Sequence, residues 1–551
     1  MSDSTITHDT IAAAERLAGV EYTEAERTQV LATVAPLLDR ARTYRAKPLP
    51  NALVPACSFD PRLPGVRLHR PTGVVRFRPS DPGPLPADDT AIAFAPLTAL
   101  SAWLGRGEIT STRLTEIYLE RLTRLGPGLE CVVTRTEALA RAQAARADAE
   151  LAAGRRRSPL HGVPWGAKDL LDTAGIRTTW GATPFKDRVP DRDAWVVRRL
   201  ADAGAVLVAK TTMGALAYGD VWFGGRTRNP WNTEEGSSGS SAGSASATAA
   251  GLVGFSIGTE TMGSIVSPSM RCGTAGLRPS FGRVPRNGAM ALGWSLDKIG
   301  PICRSAEDTA LVLATLNGHD PGDPGSLDVP LEIDTRRDAR GIRVGYDPRW
   351  LDEEGVEALD RAALDFARTE GMEVREIQWP DLPWDALWTP LSVESAAAFE
   401  ALTLSGDDDQ LVRQDDEAWP NRFRRARFLT AIDYIQGERV RRLAMQALHA
   451  IFEEVDVLLG PSFASTIQLA TNMTGHPSLT VRAGFVHTPT RVAITAIGAR
   501  PTAVDPDAPR HRVPYGVTLW GRLFDEGTLL RAGIALERAF GATGERPAGY
   551  D

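Results

Sequence analysis

Residues 236 to 272 read GSSGSSAGSASATAAGLVGFSIGTETMGSIVSPSMRC, and the rest of the chain is organised around them. The stretch opens with a glycine and serine turn that an ordinary helix or strand would not choose. A small-residue helical segment from Ala242 to Gly251 follows, then an apolar run from Leu252 to Ile257, then a second glycine-rich turn ending at Gly263-Ser264. Two serine-bearing turns are thereby held at a fixed separation. Glycine lets the backbone approach a ligand closely and turn N–H groups towards a negative charge, so serines placed there are candidate nucleophiles. A flexible linker is the competing reading of the composition, but the apolar run that follows must be buried. A membrane span also competes, since no charge stands between Glu235 and Glu260. Its serine, glycine and threonine content is too high for lipid.

Working outward, 551 residues suffice for a large core, and length alone suggests roughly two to four domains. A composition of 43% hydrophobic and 24% charged residues is that of an ordinary globular protein. The net charge of -7 argues against a general nucleic-acid surface. Cys57, Cys131, Cys272 and Cys303 are widely spaced, which excludes the usual zinc spacings and disfavours a disulfide framework. The N-terminus lacks the basic start and apolar core of a signal peptide, and the expected setting is cytoplasmic.

Upstream, apolar positions at helical spacing (Ile11, Leu17 and Val20, then Val30, Leu31, Val34 and Leu38) predict two amphipathic helices within residues 9 to 46. Residues 47 to 90, from Pro48 and Pro50 onward, are proline-rich and predict an extended arm or linker. From residue 91 helices alternate with short apolar runs. Strands are expected at 131–133, 162–167, 205–209, 254–257, 342–346, 455–459, 479–481 and 516–519, with a closing helix at 526–540. Such alternation predicts an α/β domain, its sheet covered by helices on both faces. Residues 1–90 read as a helical extension with its arm, and 91–545 as a catalytic domain. The Arg422 to Arg427 cluster reads as a solvated helix face.

Two kinds of serine chemistry are open. Gly239-Ser240-Ser241-Ala242-Gly243 matches the G-x-S-x-G elbow with Ser241 as nucleophile, but that motif requires a preceding strand where Asn229 to Gly236 reads as a turn. Alternatively Lys168, at the end of a buried run, serves as base: desolvation disfavours the ammonium form, so a buried lysine can be neutral near physiological pH. A structural ion pair with Asp169 is the competing role for that lysine.

These blocks resemble the amidase signature family, whose enzymes use a Ser, Ser, Lys triad. The resemblance is carried by Ser238 to Ser244, by Gly258 to Ile265 with Ser240 and Ser264 24 residues apart, and by the lysine block Gly162 to Leu170. Further matches are Gly276 to Pro279 with Phe281-Gly282-Arg283, Ser295-Leu296-Asp297 before Gly300-Pro301, Thr474 to Pro477, and Gly521-Arg522 before Phe524-Asp525-Glu526. It implies an amidase signature fold with a mixed sheet and a hydrolase that splits a carboxylic amide, without metal or cofactor. By that likeness Ser264 is the nucleophile forming an acyl-enzyme, Ser240 relays its proton, Lys168 receives it, and the N–H groups of Thr261, Met262 and Gly263 form the oxyanion hole. A cis peptide between Gly239 and Ser240 is implied too.

The chain departs from the family pattern at Met262, where glycine is usual, and at Val266, where arginine is often found. Arg271 is the candidate to replace that charge. With Thr211 to Ala215, these changes move the chain away from the tRNA-dependent amidotransferase subunits of the family. Such a subunit nevertheless remains the rival reading, beside an esterase or carbamate hydrolase on the same triad. Trp165, Trp180, Tyr218, Trp222 and Trp294 flank the blocks and suggest an apolar or aromatic acyl group. His161 and His476 read as structural. The expected partner is a small-molecule amide, with no nucleic acid and no membrane, and the N-terminal helices are suited to pair two copies as a homodimer.

Overall fold

The computed structural model describes residues 6–36, 40, 45–46, 49–66, 71–79, 81–353, 355–491 and 508–550. Leu38 and Pro48, assigned above to the helical pair and the arm, lie outside the described residues. Eleven strands form one sheet. They are β1 (Val132–Arg135), β2 (Pro164–Lys168), β3 (Val206–Thr211), β4 (Phe255–Glu260), β5 (Ala275–Arg278), β6 (Lys298–Cys303), β7 (Arg343–Tyr346), β8 (Glu373–Glu376), β9 (Val457–Pro461), β10 (Ser478–Pro489) and β11 (Arg510–Gly521). Across the sheet they run β8-β7-β9-β11-β10-β5-β6-β4-β2-β3-β1. Two parallel patches, β8-β7-β9 and β4-β2-β3, flank an antiparallel centre.

Burial on both faces explains the apolar runs. Every residue of β2, β3, β4, β5, β6 and β9 is buried. Side chains alternate between faces. Phe255 and Ile257 of β4 join the main core with Leu277, Leu479 and Leu529. Ser256 and Gly258 point the other way, towards the helix Ala242–Ala249, where Thr248 Oγ1 donates to Ser256 Oγ at 3.0 Å. That helix is built of small residues and lies so close that a Cβ at Gly258 would stand 2.8 Å from Ser241 Oγ. Its Ala245 and Ala249 pack with Ile265, Cys272 and Ile302. The sheet thus carries the glycine-serine turn on one face and a large aliphatic core on the other.

Three strands of this sheet go beyond the sequence expectation. β5, β6 and β8 do not stand out as apolar runs, because Gly276 and Arg278, Lys298, Gly300 and Pro301, and the charged Glu373-Val-Arg-Glu run mask their character. In β5 the Arg278 guanidinium is neutralised by Glu260 at 2.6 Å, and β8 is a charged edge strand, a composition that protects an open edge. Asn232–Gly236, expected as a turn, is a strand paired with Arg228–Asn229 outside the central sheet.

At the N-terminus the helices His8–Ala18 and Glu24–Thr33 are capped by Thr7 and Thr23 and joined by Arg27 to Glu15 at 2.8 Å. The proline-rich segment lies against the domain. Asn51 Nδ2 donates to Ala291 O at 2.8 Å and Ala398 O at 3.2 Å, while its Oδ1 accepts from Ala291 N at 2.8 Å. Val75–Arg76 adds as a parallel pair to Ile333–Asp334. Among the described residues no helix is long and apolar enough to cross a membrane.

Candidate active site

Lys168 ends β2 and is fully buried. Its Nζ lies 2.8 Å from Ser240 Oγ, 3.0 Å from Ser241 Oγ, 2.8 Å from Thr259 Oγ1 and 3.3 Å from Thr259 O. Burial brings its pKa down to about 7, against the opposing pull of the Asp297 and Glu260 carboxylates. Asp169 does not pair with it. The next residue on a strand faces the opposite way, and Asp169 instead meets Lys210 at 3.5 Å and accepts from Thr179 N at 2.8 Å. Burial pushes the Asp169 carboxyl up and the Lys210 amine down. The buried run therefore splits its two charges, one to each face.

The peptide bond between Gly239 and Ser240 is cis. Only glycine fits at 239, because a Cβ there would run into Gly219 O. Ser241 N donates to Ser264 O at 3.2 Å, tying the two serine turns directly together. Ser264 is half-buried in the wall of a cavity that also takes in Thr261, Met262, Gly263, Tyr218 and Gly239. Gly263 sits at φ +97°, a conformation that favours glycine.

Two carboxylates fix the second turn. Glu260 Oε2 accepts from Ile265 N at 2.7 Å and Val266 N at 3.0 Å, and its Oε1 accepts from Arg278 at 2.6 Å, Gln468 at 2.8 Å and Asn472 at 3.1 Å. Burial alone would raise its pKa, but Arg278 and these donors outweigh it and hold the carboxyl below its ordinary value. Asp297 accepts from Thr261 Oγ1 at 2.5 Å and from the N–H groups of Leu292 and Gly293 at 2.8 and 3.1 Å. The Thr261-to-Ser264 turn is thus pinned at both ends. The Ser295-Leu296-Asp297 block carries that signal in the sequence, without indicating what it holds.

Of the aromatic residues singled out, Tyr218 and Trp294 line cavities at the site. Trp165 does not: it is buried against Phe255 in the core. Trp180 packs between Phe185 and Phe399, and Trp222 against Phe223, and neither lines these two cavities. Met262, Leu292, Leu391 and Phe463 stand at the Ser264 cavity instead. Leu391 and Phe463 come from distant segments, and nothing in a single sequence marks them. Arg271 is buried among Glu235, Asp220 and Arg491 and is not in that cavity wall. His161 Nε2 lies 3.1 Å from Ala147 O. His476 stacks on Phe452 and is driven down to about 3 by burial.

A family description, Amidase, matches residues 113–530. The glutamyl-tRNA(Gln) amidotransferase A subunit of Roseiflexus sp. (strain RS-1) is 37% identical over 484 residues, which cover 79% of this chain and 94% of that relative. This likeness runs against the expectation that the altered blocks set the chain apart from such subunits. The solved peptide amidase of Stenotrophomonas maltophilia superposes with a TM-score of 0.70 at 30% identity, covering 84% of this chain and 100% of that one. A bacterial aryl acylamidase of the amidase signature family, at 21% identity and a TM-score of 0.68, shares the fold over 82% of this chain and 99% of its own. Motif blocks, sheet and comparisons agree that the chain belongs to the amidase family and is an enzyme that hydrolyses carbon–nitrogen bonds.

Proposed function

We propose that the chain works alone as an amide hydrolase through a Ser264 acyl-enzyme. Lys168 is the base, Ser240 the proton relay, and the N–H groups of Thr261, Met262 and Gly263 the oxyanion hole. The observation that carries this reading is a dry lysine, near neutrality at physiological pH, 2.8 Å from Ser240.

Hydrogen-bond counting supports the direction of transfer. Ser241 Oγ donates to Thr259 O at 3.0 Å and accepts from Thr259 N at 3.1 Å, so its remaining lone pair accepts from Lys168. A neutral Lys168 gives one N–H bond to Ser241 and the other to Thr259, through Oγ1 at 2.8 Å or O at 3.3 Å, and in this reading its lone pair takes the Ser240 proton. Ser240 then draws the proton of Ser264, whose oxygen attacks the amide carbon. Electrons move onto the carbonyl oxygen, where each N–H donor of the hole contributes about 3 kcal/mol to the transition state. Collapse breaks the C–N bond, the relay returns its proton to the departing nitrogen, and water cleaves the ester to release carboxylate. The side chain of Met262 narrows the cavity without removing its N–H. No step calls on a cofactor, and the setting we propose is cytoplasmic.

A second reading is an amidotransferase A subunit, favoured by the 37% identity to such chains. Product release from primary amides, anilides, carbamates and esters by the purified chain, with Ser264→Ala as blank, separates the two. Release that vanishes in the blank is expected. Silence across the panel would favour the amidotransferase reading.

A further inference from the structure

The hollow at Ser264 has two neighbours. It shares Ala217, Thr261 and Leu292 with a second cavity, which in turn shares Val54, Arg286 and Trp294 with a third. The first two are narrow, about 60 Å³ each, and the third is a cleft of about 580 Å³. Only a slim group fits the inner pair, whereas the outer cleft has the size of a small-molecule site.

The proline-rich arm forms the roof. Ala52 and Val54 border the second cavity, and Pro55, Cys57 and Phe59 border the cleft. Asn51 pins this roof by its bonds to Ala291 and Ala398, and its carbonyl accepts from Trp294 Nε1 at 3.1 Å. Phe59 is held edge-on to Phe281 at 5.2 Å, with the Arg441 guanidinium 3.6 Å over its ring.

Most charged groups in these walls are already engaged, Asp60 with Arg62, Arg286 with Asp323 and Arg441 with Glu438, whereas Arg442 at the exposed rim carries no ion pair among the described residues. Arg286 binds Asp323 at 2.8 Å and donates to Trp294 O at 2.6 Å. Glu394 accepts from Ser295 N at 2.9 Å and Ser295 Oγ at 2.5 Å, and Arg441 donates to Ser295 O at 2.8 Å. Inside that rim, a charged ligand group would have to break such a bond to be satisfied.

We infer that the three hollows are one substrate channel roofed by residues 49–66, and that it takes elongated amides, slim near the carbonyl, uncharged up to the rim at Arg442 and wide enough at the far end for a ring. The inference rests on the Ser264 reading only for where the reacting carbonyl lies. The arm lies outside the 113–530 family match, so the extension adds its own residues to walls otherwise built within that match.

Cys57 supplies the test, being exposed in the cleft while Cys131, Cys272 and Cys303 are buried. Its alkylation rate by N-ethylmaleimide is measured on the Ser264→Ala protein with acetamide, 6-phenylhexanamide or N-(6-phenylhexyl)acetamide. At least one phenylhexyl amide is expected to slow alkylation several-fold where acetamide does not, and Asn51→Ala to weaken its binding about tenfold. Equal rates with all three amides would overturn the channel, and protection unaltered in Asn51→Ala would remove the arm from it. Protection without any turnover by the unmodified enzyme would count against the Ser264 reading and leave the channel standing.

Discussion

Lys168 owes its chemistry to the absence of water around it. Its pKa near 7 means that the proton-accepting form is lost as pH falls through that value. The predicted kcat/KM therefore drops about tenfold per pH unit below about 7, and a profile measured with a neutral amide checks it. Asp297 acts through its neighbours: it holds Thr261, and its charge raises the lysine's pKa. Asp297→Asn is predicted to lower kcat about tenfold while moving the acid limb to lower pH, a shift that loss of packing alone would not give. The adjacent serines should separate as well. Ser240→Ala is predicted to cost at least about a hundredfold in kcat, the scale of proton-transfer catalysis, and Ser241→Ala markedly less, because Ser241 gives its proton to Thr259 O and offers Lys168 only a lone pair. Equal losses in single-turnover measurements would contradict that division.

Among the elements, the turn joining β4 to the helix Val266–Cys272 is where stability and site meet. Glu260 accepts five bonds, two of them from the turn at Ile265 and Val266 and one from buried Arg278, whose charge it neutralises. Glu260→Gln leaves that guanidinium without its counter-charge and is predicted to cost roughly 3 kcal/mol, read as a lowered denaturation midpoint. Much at this scale is legible in the sequence. The runs of β2, β3, β4 and β9 are apolar because both faces are covered, and the Glu526–Phe540 helix falls where its periodicity puts it. β5 and β6 are not legible, because their glycines, proline and basic residues become strand-compatible only once partners from other segments surround them. For the same reason dense local motifs single out Lys168, Ser240 and Ser264, whereas Leu391 and Phe463, which the fold brings in from afar, escape notice.

Over the whole molecule, the sheet acts as a frame that brings residue 168 to residues 240, 241 and 259 at its buried middle, while the arm closes over the approach from outside. Tryptophans next to the motif blocks mislead because adjacency in sequence does not choose a face: Trp165 follows the strand alternation into the core. Ser264 as nucleophile can be read out by treating the purified chain with a fluorophosphonate and mapping the adduct by peptide mass spectrometry. One phosphonyl group on Ser264 and none in Ser264→Ala is expected; an adduct on Ser240 or Ser241, or persistence of the label in Ser264→Ala, would contradict that role.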